Sequence, residues 1–243
     1  MKTALITGVT AGIGEAAARR FVLEGWRVIG TGRRKERLDS LLAELGEAFV
    51  PMAFDMRHGN FDEVANQAGP VDLLLNNAGL ASPMNDLQHA DQGPLDTVID
   101  TNVSGLVSLT RAMLPGLIER RGAIINLSSV AATYPYRGGA VYAGSKAFVR
   151  QFSLGLRCDL QGTGVRVTSI EPGMVETEFT IVRNGGDQEA SDALYANMDP
   201  MTAEDIAGTI FWVASLPPHL NINALELMPV NQAWAGFAGH RNA

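Results

Sequence analysis

Cysteine is nearly missing. Cys158 is the only one in 243 residues, so no disulfide can form within the chain and nothing in the composition calls for an oxidising compartment. Aromatic residues are sparse at 7%, and no apolar run approaches the roughly 18 residues that a membrane-spanning helix needs. Basic residues are nowhere massed: 19 Lys and Arg against 26 Asp and Glu leave a net charge of −7. That balance argues against a nucleic-acid or anionic-membrane surface and leaves a small molecule as the expected partner. His58, His89, His219 and His240 are scattered without ligand spacing, so no metal site is expected. The opening MKTALITG starts like a leader peptide, but Thr7 and Gly8 interrupt it, and it reads as a strand instead. A soluble, cytoplasmic protein is the expectation.

What is present is an alternation. Short β-type runs, TALIT (3–7), RVIGT (27–31), FVPMAF (49–54), VDLLLN (71–76), AIINLS (123–128), VRVTSI (165–170) and ALELMP (224–229), are separated by longer helix-type stretches. This pattern predicts an α/β fold over residues 1–243: a single doubly wound, Rossmann-type domain with a seven-stranded parallel sheet and helices on both faces. GEAAARRFVLEG and ERLDSLLAELG end in glycine, as helices commonly do. LDTVIDTNVSGLVSLTRAMLPGLIERRG reads as one long helix. Pro51 weakens the third strand, because proline lacks an N–H and belongs at a sheet edge or strand start. Residues 173–202 keep no period and contain a Gly-Gly pair, so an irregular lid or binding loop, or disorder, is expected there. Thr202-Ala-Glu-Asp205 then has the form of a capping box opening the next helix.

The chemistry is concentrated at strand ends. TGVTAGIG follows the first strand directly, and Gly8, Gly12 and Gly14 let the backbone turn sharply beside a helix start whose free N–H groups attract a pyrophosphate. The second strand ends TGRRKERL. Arg33 and Arg34 stand there with no carboxylate before Glu36, which selects NADP over NAD, since arginine can hold the extra 2′-phosphate. In VYAGSKAF, Tyr142 and Lys146 lie four apart on one helical face. The pair is either an ordinary surface contact or a tyrosine whose pKa the lysine charge lowers.

NNAG (76–79), Asn102 within TNVSG, Ser129 and Pro172-Gly173 join these features, all but Asn102 at the carboxyl ends of expected strands. Together, and in this order along the chain, they resemble the short-chain dehydrogenase/reductase family. The resemblance implies that Tyr142 is the acid/base, with Lys146 lowering its pKa and holding the nicotinamide ribose. It also implies that Ser129, rather than the neighbouring Ser128, orients the substrate, and that Asn102 completes a proton relay. It assigns Asp55 to the adenine, Asn77 to the adenosine ribose and Thr177 to the nicotinamide carboxamide. It extends the cofactor contacts to Thr7, Ile13, Met56, Ala78, Gly79, Pro172, Gly173 and Val175.

TGRRKERL, PYRGGAVYAGSKAFVRQFSLGLR and HLNINALELMPVNQAWAGFAGHR are particularly similar to the NADP-dependent 3-hydroxy acid dehydrogenase branch. This implies oxidation of a small 3-hydroxy acid or β-hydroxy amino acid, of the L-allo-threonine, L-serine or 3-hydroxypropionate type, by a cytoplasmic homotetramer. A carboxylate substrate calls for an arginine; Arg183 is the first candidate and Arg137 the second. The alternatives are an NADPH-dependent reductase of an uncharged ketone or aldehyde, which needs no pocket arginine, and a non-catalytic NADP-binding sensor.

Overall fold

A computed structural model describes residues 1–233; His240 and the last part of the tail quoted above lie outside the described residues. The apolar runs form seven parallel strands, β1 (Thr3–Thr7), β2 (Arg27–Gly32), β3 (Phe49–Ala53), β4 (Leu73–Asn76), β5 (Ala123–Leu127), β6 (Arg166–Pro172) and β7 (Ala224–Leu227). They make one sheet in the order β3-β2-β1-β4-β5-β6-β7. The order reverses between β1 and β4, so a crevice opens beyond the carboxyl ends of those two strands, where open α/β sheets bind ligands. Pro51 is accommodated because β3 is an edge strand.

The helices are α1 (Gly12–Leu23), α2 (Lys35–Leu45), α3 (Phe61–Ala68), α4 (Gln92–Ile99), α5 (Leu106–Arg120), α6 (Ala140–Asp159), α7 (Glu178–Arg183), α8 (Gln188–Tyr195) and α9 (Ala203–Ala214). Side chains alternate across a strand, so β1 feeds two cores. Ala4 and Ile6 pack with Phe21 of α1, Leu38 of α2 and Ile210 of α9. Leu5 packs on the other face with Leu109 and Met113 of α5 and Leu156 of α6. The expected capping box is present: Thr202 Oγ1 accepts from Asp205 N, and Asp205 Oδ2 accepts from Thr202 N.

Two expectations are revised. The single long helix is instead α4 and α5 joined by a π-helical turn, Asp100–Gly105. Gly105 lies against the Met56 carbonyl so closely that a Cβ would collide with it, which fixes the turn on the loop after β3. Residues 173–202 are not uniformly irregular, since they hold α7 and α8, capped by the side chains of Thr177 and Asp187.

Candidate active site

The glycine loop leaves β1 under close backbone control. Gly8 N and Val9 N both donate to Thr31 O, at 2.8 and 3.0 Å, which pins the turn to β2. Gly8 has φ +73°, a left-handed conformation that costs glycine nothing. A Cβ on Gly14 would collide with the Gly8 carbonyl and Asn77 Nδ2. Thr7 Oγ1 accepts from Asn77 N and Ala78 N, at 3.0 and 2.9 Å, and Asn77 Nδ2 donates to Thr7 O at 2.8 Å. The residue before α1 is Ala11, which offers no side-chain cap, so the N–H groups of the first turn face outward for an anion. The loop therefore fits a dinucleotide pyrophosphate, with Ile13 anchoring the helix start on the core.

The two arginines of the turn after β2 have different surroundings. Arg33 is exposed and makes no hydrogen bond or ion pair among the described residues. Arg34 is committed elsewhere: Nη2 donates to Thr10 O at 2.9 Å, Nε to Thr10 Oγ1 at 3.2 Å and Nη1 to Glu178 Oε2 at 3.2 Å. Arg37 joins it on both Thr10 O and Glu178. The charge of Arg33 is felt by Asp55, whose carboxyl is held at about 2, chiefly by the hydrogen-bonded Arg57 guanidinium. The Met56 side chain is buried in the core with Leu109 and Met113, so it is the Met56 backbone that is left to line the crevice.

Ser129, Tyr142 and Lys146 meet beyond β5. Ser129 Oγ accepts from Ala131 N at 3.1 Å, donates to Pro172 O at 3.4 Å, and hydrogen-bonds the Tyr142 hydroxyl. Ser128, one residue earlier, donates instead to the Lys146 carbonyl at 2.7 Å and braces the backbone of α6. Lys146 is buried, with Nζ donating to Leu127 O at 2.8 Å and lying 5.8 Å from the centre of the Tyr142 ring. Burial lowers the lysine pKa to about 8. The expected lowering of the tyrosine is reversed. Burial pushes Tyr142 up to about 12, opposed by the Ser129 hydrogen bond and, more weakly, by the Arg183 charge. Spacing along a helix sets which side chains are neighbours, but desolvation by the folded chain outweighs the neighbour here.

Asn102, on the π-helical turn, is a brace between two segments. Its Oδ1 accepts from Leu80 N at 3.0 Å, and its Nδ2 donates to Leu80 O at 2.9 Å and to Ser145 Oγ at 3.0 Å. Gly79 lies between Asn102 and Lys146; a Cβ there would be 3.2 Å from Asn102 Oδ1 and 3.3 Å from Lys146 Nζ.

Beyond β6, Gly173 N donates to Leu227 O, Val175 bridges to Met201, and the Thr177 hydroxyl caps α7 by accepting from Phe179 N at 3.3 Å. Arg183, at the end of α7, lies 5.8 Å from the centre of the Tyr142 ring and 5.3 Å from that of Tyr136. Its Nη2 donates to Tyr136 Oη at 3.0 Å and its Nε to Ser82 O at 3.3 Å. Arg183 also lines an open cavity of about 480 Å³ with Leu80, Pro83, Thr97 and Val182. Arg137 is not part of this site; it is exposed and paired with Asp86 at 2.8 Å. Tyr136, Arg37 and Glu178 were not legible as site residues. Glu178 stands 141 and 144 positions from its arginines, and no local pattern links them. Among the described residues, no group of three or more His, Cys, Asp or Glu is placed to hold a metal, and no helix is long and apolar enough to cross a membrane.

The family model for short chain dehydrogenase matches residues 2–187. A serine 3-dehydrogenase of Agrobacterium fabrum is 59% identical over 246 residues, covering 99% of this chain and 99% of that protein. A sulfoacetaldehyde reductase of Chromohalobacter salexigens is 53% identical over 243 residues and 96% of each chain. An NADP-dependent 3-hydroxy acid dehydrogenase of Salmonella typhi is 51% identical over 245 residues, 98% of this chain and 99% of that one. Among solved structures, the closed form of a serine dehydrogenase complexed with NADP+ superposes with a TM-score of 0.96 at 48% identity, covering 99% of this chain and 100% of that one.

Proposed function

The chain belongs to the short-chain dehydrogenase family, and on that premise we propose that Tyr142, Ser129 and Lys146 carry its reaction, with Arg183 selecting the substrate. It is an NADP-linked oxidoreductase of small 3-hydroxy acids and β-hydroxy amino acids. Bound NADP supplies the hydride acceptor, or in its reduced form the donor, for the carbon bearing the 3-hydroxyl. The glycine loop and first turn of α1 hold the pyrophosphate, Arg33 the 2′-phosphate, and Asp55, Asn77 and Thr177 line the remaining length of the crevice.

Ser129 fixes the substrate oxygen, and Tyr142 exchanges its proton. In oxidation the phenolate takes the hydroxyl proton; in reduction the phenol returns it to the forming alkoxide. With its pKa near 12, Tyr142 is fully protonated at neutral pH and ready as the acid of the reductive direction. The buried Lys146 ammonium favours the anionic phenolate when oxidation demands it.

The observation that carries the substrate reading is Arg183, a guanidinium held by Tyr136 beside the Tyr142 ring and lining the open cavity. Its Nη1 makes no hydrogen bond among the described residues, so the fork has capacity for an anionic head group. A sulfonate is a second anion of that kind, and the likeness to a sulfoacetaldehyde reductase supports including it. The test is NADPH formation from L-serine, L-allo-threonine, 3-hydroxypropionate and isethionate. Turnover of the carboxylates that falls by about 10²–10⁴ in Tyr142→Phe, with NADPH binding intact, is the expected result. Turnover of uncharged alcohols alone would overturn the substrate reading.

A cytoplasmic homotetramer completes the proposal. The edge strand β7, with Ala224 and Glu226 exposed, and the 52%-exposed Trp212 of α9 support a face for assembly, which light scattering would measure.

A further inference from the structure

Three segments far apart in sequence are tied at one point beside the glycine loop. Glu178 opens α7 immediately after Thr177. Its Oε1 accepts from Arg37 Nη1 at 2.8 Å, and its Oε2 from Arg37 Nη1 at 2.9 Å and Arg34 Nη1 at 3.2 Å. The same two arginines donate to the Thr10 carbonyl, at 2.9 and 3.0 Å, and Thr10 lies within the loop between Gly8 and Gly12. One residue away, the Thr177 side chain packs against Gly12, 3.3 Å from where a Cβ would stand. The first turn of α7 is thus fastened over the part of the loop that faces the pyrophosphate.

We propose that Glu178 is a positioning residue, a clasp that holds α7 against the phosphate loop and slows departure of the dinucleotide. The proposal rests on the NADP-binding reading above. The clasp is separate from the chemistry and from the 2′-phosphate: its carboxylate pairs with Arg34 and Arg37, while Arg33, with no ion pair among the described residues, is the cation left to meet that phosphate. The side chains of Glu178, Arg34 and Arg37 are 41 to 43% exposed. Ion pairs so open to water are individually weak and screened by salt, so the clasp can open in each catalytic cycle.

The test uses Glu178→Gln, which keeps the shape and removes the charge, and Arg37→Gln, which breaks the clasp from its other side. NADPH dissociation is followed by stopped-flow fluorescence of the reduced nicotinamide. Each variant is expected to release NADPH roughly 3- to 10-fold faster. The double variant should add little to Glu178→Gln, because that variant already removes the contact with Arg37. NADH, which has no 2′-phosphate, should show the same acceleration, leaving the preference for NADP over NAD unchanged; Arg33→Ala should alter that preference instead. Rates equal to the unaltered protein would overturn the clasp. Slower NADPH release with a sharper NADP preference would also overturn it and make Glu178 a competitor of the 2′-phosphate. If the unaltered protein binds no NADPH, the cofactor reading falls and takes the clasp with it.

Discussion

The crevice beyond β1 and β4 and the pocket beyond β5 and β6 are built by different means. In the first, it is the backbone that is positioned: Gly8 N and Val9 N hang from the Thr31 carbonyl, Asn77 N and Ala78 N from the Thr7 hydroxyl, and Gly14 admits no side chain. In the second, position is set by side chains: Arg183 reaches Tyr136, Lys146 reaches the Leu127 carbonyl and Asn102 reaches Leu80. A backbone site cannot be altered without altering the loop. A side-chain site can be retuned one residue at a time, which suits a scaffold whose relatives act on serine, hydroxy acids and sulfoacetaldehyde.

The difference can be broken first at Gly14. Gly14→Ala places a methyl into the Gly8 carbonyl; overpacking of that kind costs about 1–3 kcal/mol of stability, and a loop displaced from the pyrophosphate should bind NADPH more than about 100-fold more weakly. Thermal melting and a fluorescence titration read the two effects separately. On the side-chain half, Arg183→Met should leave NADPH binding unchanged and raise KM for 3-hydroxy acids roughly 30- to 150-fold, the loss of a charged hydrogen-bonding fork. Uncharged aldehydes should be nearly unaffected, and an equal loss on both would show that Arg183 serves the fold rather than the anion.

A pH series sharpens the comparison by touching only the second site. Because Tyr142 titrates near 12, its protonated form persists across the neutral range and reduction should be flat from pH 6 to 8. Oxidation needs the deprotonated phenol, so its kcat/KM should climb with pH, at most about tenfold per unit. The climb should flatten above pH 8, where Lys146 loses its charge and with it the support for tyrosinate. The smallest effect is expected at Arg137, an 87%-exposed partner of Asp86. Arg137→Ala should change KM by less than about twofold, as exposed ion pairs do.

The strands were legible because a parallel sheet covered on both faces demands continuous apolar runs, and such runs survive inspection in one dimension. Their ends were less legible. β4 starts at Leu73 rather than Val71, preceded by Asp72, whose side chain accepts from Thr3 N at 2.8 Å, and β6 continues to Pro172. The glycine loop and the pairing of Tyr142 with Lys146 could be read because each sits at a fixed offset from a strand or within one helical turn, whereas the part given to Ser129 came from the family resemblance. The division of labour between Arg33 and Arg34 could not be read, since their partners are contributed by Glu178 and Thr10.

By itself, then, the sequence determined the order of strands and helices and the placement of glycines where only glycine fits, because these follow from local periodicity and spacing; the reacting side chains proposed above were implied by the family resemblance that those motifs carry. Tertiary structure alone decided the protonation of Tyr142, the bracing role of Asn102, the burial of Met56 and the joining of α7 to the phosphate loop. Each of those depends on desolvation or on contacts between residues remote in the chain, quantities that come into being only when the sheet has brought its strand ends together.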